Sequence, residues 1–163
     1  MKKEEIVHQL LEEKLISIVR LSNGQYAPKV IDALVQGGIK VLEITSNTPG
    51  FETAITTTKK KHSHILIGAG TISNKELAQK AIQAGAQFLV TPNTNKEVMD
   101  EATKANIPVV MGALTPTEIA NAVAYGADII KLFPSDQLGV SYFKSLKGPF
   151  SDTKFFAVGG IGM

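Results

Sequence analysis

Val109-Val-Met-Gly-Ala-Leu-Thr115-Pro-Thr-Glu118-Ile-Ala-Asn-Ala-Val-Ala-Tyr125-Gly126-Ala-Asp-Ile-Ile-Lys131-Leu-Phe133-Pro134 spells out a strand, a helix and a second strand in succession. Val109 to Gly112 and Ile129 to Phe133 are short apolar runs, and Glu118 to Tyr125 between them has helical spacing. Thr115, three residues ahead of Glu118, matches a capping box, with Pro116 at the first helical position. Gly126 suits the left-handed residue that ends a helix, and the next strand begins shortly after it.

The same unit recurs on both sides. Further strands are predicted at Ile16 to Arg20, Val41 to Thr45, Ile65 to Gly68, Phe88 to Thr91 and Phe155 to Val158, with helical segments such as Lys75 to Ala84 between them. Ser73 with Glu76 and Thr94 with Glu97 repeat the capping box, and Thr48-Pro49 has a similar cap and proline. Gly38, Gly85 and Asn106 repeat the helix stop. Strands that alternate with helices pair in parallel. A (β/α)₈ barrel and an open doubly wound sheet both use such units, and length alone favours the open sheet. A receiver-like domain needs acidic residues at the ends of its early strands, whereas here the first strand ends in Arg20 and the third runs into Gly70-Thr71. Ile67-Gly-Ala-Gly-Thr71 lacks the third glycine of a dinucleotide fingerprint and reads better as a tight turn.

Composition narrows the function classes. The 163 residues, 44% hydrophobic, suffice for one core and one domain. The net charge of +2 comes from scattered residues, so neither nucleic acid nor an anionic membrane is an expected partner. Lys59-Lys-Lys61 is the one cationic cluster, and it suits the carboxyl end of a helix. No apolar run is long enough to span a bilayer, and the N-terminal pattern is amphipathic, so a cytoplasmic location is expected. The absence of cysteine excludes disulfides, thiolate catalysis and Cys-based zinc. His8, His62 and His64 lack carboxylates at ligand spacing, so no protein-built metal site is expected.

Lys131 is the unusual residue of the quoted stretch, because an ammonium among Ile129, Ile130, Leu132 and Phe133 is costly to bury unless it is paired or loses its proton. A neutral lysine is a nucleophile suited to Schiff-base chemistry, although this segment alone favours a strand-end lysine that snorkels to solvent or a salt bridge. Alignment on the helix stops supplies a partner. Glu43 stands at the same offset from Gly38 as Lys131 does from Gly126; Val90 and Met111 stand there after Gly85 and Asn106. In a barrel, alternate strands share a layer, which points Glu43 and Lys131 inward together. They are read either as a structural ion pair or as an acid/base carboxylate beside an amine nucleophile. Arg20 is the only arginine in the chain and ends the first strand, where a bidentate grip on carboxylate or phosphate is useful.

Val41-Leu-Glu-Ile-Thr45, Gly68-Ala-Gly-Thr71, Ala84-Gly-Ala-Gln-Phe88, Ile130-Lys-Leu-Phe-Pro134, Gly148-Pro-Phe150 and Gly159-Gly-Ile161 together resemble the 2-keto-3-deoxy-6-phosphogluconate (KDPG) and 4-hydroxy-2-oxoglutarate (KHG) aldolases. The resemblance implies a metal-free and cofactor-free class I aldolase on a (β/α)₈ TIM barrel, assembled as a homotrimer. Its small-molecule substrate would be a 2-keto acid, phosphorylated in the case of KDPG. KDPG would give pyruvate and glyceraldehyde 3-phosphate, and KHG would give pyruvate and glyoxylate.

Residue by residue, Lys131 matches the Schiff-base lysine and Glu43 the acid/base. Thr71 and Pro92 match the lining of the pyruvate pocket, Phe133 the aromatic beside the lysine, and Gly159 and Gly160 the first half of the phosphate site. Thr45 and Asn47 fall in the substrate-binding segment. Asn47 stands where members often carry arginine, a charge Arg20 can supply, and Val158 stands where threonine is common. Seven strands are read where the family has eight, so residues 1–163 are expected to form a single barrel domain lacking its eighth βα unit, with weak or no turnover of phosphorylated substrate. A non-catalytic sugar-phosphate-binding barrel and a sugar-phosphate isomerase or epimerase are the alternatives.

Overall fold

In the computed structural model, which describes residues 1–161, seven parallel strands form one sheet in the order of the chain. They are β1 (Ser17–Val19), β2 (Val41–Thr45), β3 (Leu66–Gly70), β4 (Leu89–Val90), β5 (Val109–Ala113), β6 (Ile129–Leu132) and β7 (Phe155–Ala157). Helices α2 (Ala27–Gln36), α3 (Phe51–Lys61), α4 (Lys75–Ala84), α5 (Lys96–Lys104), α6 (Pro116–Tyr125) and α7 (Gly139–Leu146) connect them, and α1 (Lys3–Glu13) precedes β1. Sequential order without a crossover excludes the doubly wound sheet, whose strand order reverses at a switch point. β1 and β7 are the edges of the described sheet. The expectation that the eighth βα unit is lacking falls on the stretch after β7, where Gly162 and Met163 lie outside the described residues.

Two apolar layers divide the strand residues by parity, as a pleated sheet demands. Leu42, Ile44, Ile67, Ala69, Met111 and Ile130 pack outward under the helices. Val41, Leu66, Phe88, Val90, Val110 and Ile129 face inward, where Ile6 and Leu10 of α1 plug the concave side of the curled sheet. This parity corrects one alignment: Met111 belongs to the outer layer, and the inward residues of β5 are Val110 and Gly112. Asn106 is followed by a connection that differs by one residue from those after Gly38, Gly85 and Gly126, and one residue reverses the face of a strand.

Helix stops stand as expected. Gly38, Gly85, Asn106 and Gly126 have φ of 91°, 96°, 53° and 95°. At α6 the full capping box forms, with the Thr115 hydroxyl accepting from the Glu118 N–H and the Glu118 carboxylate accepting from the Thr115 N–H. The caps of α4 and α5 lie one residue later than Ser73 and Thr94: Asn74 accepts from the Leu77 N–H and Asn95 from the Val98 N–H. An asparagine amide reaches the third helical N–H as well as a hydroxyl does. Thr94 is released to donate to the Gly112 carbonyl at 3.0 Å. α3 begins at Phe51, after Gly50 with φ of 74°, and Thr48 is not its cap. The Thr48 hydroxyl instead accepts from the Leu21 N–H at 3.1 Å, fastening the loop after β1 to the loop after β2. Lys59, Lys60 and Lys61 form the last turn of α3, and Lys61 and His62 both meet Asp32 on α2.

Candidate active site

Glu43 is the middle residue of β2, between Val41 and Thr45 on the inward face, and Lys131 follows Ile129 inward on β6. Their residues are 3% and 5% exposed, so both charges are withdrawn from water. Burial pushes the Glu43 carboxyl up to about 7, against the opposing pull of Lys131 and then Arg20. Burial likewise lowers the Lys131 ammonium below the ordinary lysine range, opposed by Glu43 and assisted by Arg20. The two groups therefore sense one another, yet among the described residues the ion pairs closer than 4.0 Å include neither. A buried carboxyl and a buried amine shifted in opposite directions on one face of a sheet are the kind of pair found at functional sites.

Two glycines shape the surroundings of these groups. A Cβ on Gly70 would lie 1.6 Å from Glu43 Oε1, so the carboxylate occupies the space that this glycine vacates. On β5, Gly112 pairs with Lys131 and lies so close to the Pro92–Asn93 backbone that a Cβ would stand 2.4 Å from the Pro92 carbonyl carbon. Phe133 places its ring centroid 4.7 Å from Lys131 Nζ, where the ring face attracts a cation. Glu43 also borders a cavity of about 470 Å³ between β1 and β7, lined by Ile16, Ile18, Val90, Val110 and Phe156.

Arg20, exposed at the end of β1, donates from Nη2 to Thr71 Oγ1 at 3.2 Å. This joins two of the residues singled out in the sequence. Pro92 follows β4 and is half-buried at the same carboxyl end of the sheet. Gly159 and Gly160 follow β7 with φ of 94° and 66°. The loop after β6 fastens to them through the Asp136 N–H and the Gly159 carbonyl, at 3.2 Å. A Cβ on Gly159 would meet the Phe133 ring at 3.2 Å, so the double glycine and the aromatic are neighbours. Thr45 stands apart: it is fully buried, and its hydroxyl is bonded to the Val19 carbonyl and to Thr48. Asn47 is exposed in the turn after β2.

Ser46 and Gly112 are part of this arrangement and carry little signal in the sequence, whereas Gly70 lies in the stretch read there as a tight turn. A serine beside a turn and a glycine at a strand end are too common to mark. Among the described residues no three of His, Asp and Glu converge as metal ligands, and no helix is long and apolar enough to cross a membrane.

Comparison with known proteins decides the family. The family model described as KDPG and KHG aldolase matches residues 6–163. The chain belongs to that aldolase family. It is 33% identical over 157 residues to the 2-dehydro-3-deoxy-phosphogluconate aldolase of Treponema pallidum, an alignment covering 96% of this chain and 75% of the relative. It is 36% identical over 149 residues to the 2-dehydro-3-deoxy-6-phosphogalactonate aldolase of Escherichia coli, covering 90% and 73%. A KDPG aldolase from Legionella pneumophila, solved with pyruvate captured as a covalent carbinolamine, superposes with a TM-score of 0.83 at 30% identity over 90% of this chain and 71% of that one. In this member of the KDPG and KHG aldolase family, the parallel sheet brings Lys131 and Glu43 from separate βα units to one concave face.

Proposed function

We propose that this chain is a class I aldolase that releases pyruvate from KDPG, KHG or both, with Lys131 as the Schiff-base nucleophile and Glu43 as the general acid/base. The observation that carries the assignment is the inward, buried placement of these two groups with their ionisation displaced toward neutrality from opposite sides. The covalent pyruvate carbinolamine of the Legionella relative supports the same chemistry.

The neutral Lys131 amine attacks the C2 carbonyl of the keto acid. The carbinolamine loses water, and the resulting iminium draws electrons from the adjacent bonds. Glu43 as carboxylate takes the proton of the C4 hydroxyl while the C3–C4 bond breaks, giving an aldehyde and an enamine. Glu43 then returns a proton to C3, and water releases pyruvate from the lysine. A carboxyl that titrates near 7 is well placed both to accept and to return that proton.

Arg20 with Thr71 is proposed to hold the substrate carboxylate, with Pro92 and Phe133 forming the walls of the pyruvate pocket. Asn47 flanks the entrance, and Thr45 contributes through the strand that carries Glu43. Gly159 and Gly160 would present backbone N–H groups to a phosphate. The seven strands are proposed as a single domain and as part of a (β/α)₈ barrel, in which a further strand would sit over the cavity between β7 and β1. A homotrimeric, cytoplasmic enzyme completes the proposal by family resemblance.

Borohydride reduction in the presence of pyruvate, followed by mass spectrometry, tests the assignment. A stable adduct on Lys131 is expected. Failure to trap it, with proton exchange observed on a sugar phosphate, would favour an isomerase, and failure of both would favour a binding protein.

A further inference from the structure

We propose that Ser46 is a positioning residue that locks Thr71, and through it Arg20, in the geometry that holds the keto acid. This rests on the Schiff-base aldolase assignment above. Ser46 follows the last residue of β2 and is half-buried. Its N–H donates to the Gly70 carbonyl at 2.8 Å, and its hydroxyl donates to the Thr71 carbonyl at 2.8 Å. One residue thus takes up two consecutive carbonyls and extends the pairing of β2 with β3 beyond its last register pair, Thr45 with Gly70.

The second carbonyl belongs to a backbone that resists its own conformation. Thr71 has φ of 57°, and a β-branched residue is disfavoured there because its Cβ crowds the backbone. Such a conformation persists only when neighbours over-determine it. The Ser46 hydroxyl holds the Thr71 carbonyl, Arg20 holds the Thr71 hydroxyl at 3.2 Å, and the Ile72 N–H reaches the Val90 carbonyl at 3.1 Å. The same segment begins with Gly70, whose missing side chain admits the Glu43 carboxylate. Relaxation of Thr71 to an extended backbone would withdraw its hydroxyl from Arg20 and leave Lys131 untouched. Loss of Ser46 should therefore weaken keto-acid binding and spare imine formation.

The test is the pyruvate dependence of borohydride trapping at Lys131. Ser46→Ala should raise the half-saturating pyruvate concentration about tenfold and leave the maximal trapping rate within twofold of the parent. Ser46→Thr, which keeps the hydroxyl, should restore half-saturation to within twofold. In a Thr71→Gly background, where the left-handed conformation needs no support, adding Ser46→Ala should change half-saturation by less than twofold. If the alanine variant does not fold, Ser46→Cys replaces it with the same expectation, since a thiol is a weaker donor. A half-saturation within twofold of the parent in Ser46→Ala, equal losses in the alanine and threonine variants, or an undiminished loss in the Thr71→Gly background would each overturn the role of Ser46. Absence of any Lys131 adduct in the parent chain would instead overturn the aldolase assignment, and the role of Ser46 in it.

Discussion

Lys131 and Glu43 draw their reactivity from lost hydration, each being an ionisable group on a strand face shared with Val41, Leu66, Phe88, Val90, Val110 and Ile129. Lys131→Met preserves length and apolar character but removes the amine, so no borohydride adduct with pyruvate should form, as read by intact mass. Glu43→Gln keeps the shape and loses the titratable carboxyl. Aldol cleavage should fall by roughly 10² to 10⁴, while the Lys131 adduct still forms at saturating pyruvate. In the parent chain the cleavage rate should rise with pH through about 7, because the base form of Glu43 appears there, and the glutamine variant should lose that limb. The lysine was legible as a charge out of place in an apolar run, and the glutamate as its equivalent at a matching offset. The positive φ of Thr71 and the two hydrogen bonds of Ser46 were not legible, since they arise where loops from different units meet.

Among the elements, the caps divide into what local chemistry settles and what neighbours settle. Thr115, Pro116 and Glu118 form the box that their spacing predicts. Thr94 has the same local pattern, yet its hydroxyl is drawn to the carbonyls of Gly112 and Glu118 in adjoining units, and Asn95 caps the helix. The strand glycines are decided by neighbours in the same way and yield contrasting outcomes. Gly112→Ala drives a Cβ into the Pro92–Asn93 backbone, which cannot swing aside, so a loss of about 3 kcal/mol of stability or more is expected from denaturant titration. Gly70→Ala meets the far end of the Glu43 side chain, which can move. Its stability loss should be smaller, but cleavage activity should fall with the displaced carboxylate and its pH midpoint should shift.

For the molecule as a whole, the buried carboxyl couples stability to pH. Glu43 is held at about 7 in the folded chain against 4.5 for the free group. Between those values the folded chain keeps a proton that the unfolded chain has lost, so stability falls as pH rises through this window and the full cost is present above 7. The cost is on the order of 3 kcal/mol at most. Calorimetry should find Glu43→Gln more stable than the parent at pH 8 and equal to it near pH 4.5. The order of βα units, their parallel pairing and the inward parity of Glu43 and Lys131 were determined by the sequence alone. Hydrophobic period, cap and stop are local properties, written within a dozen residues of where they act. Only the tertiary structure decided that the sheet is ordered from β1 to β7 without a switch point. It also decided that Met111 faces outward, that Thr45 is spent on the Val19 carbonyl, and that Arg20, Thr71 and Ser46 form one hydrogen-bonded group. Those outcomes depend on the curl of the sheet and on contacts between residues far apart in the chain, where a one-residue difference in a connection reverses a face.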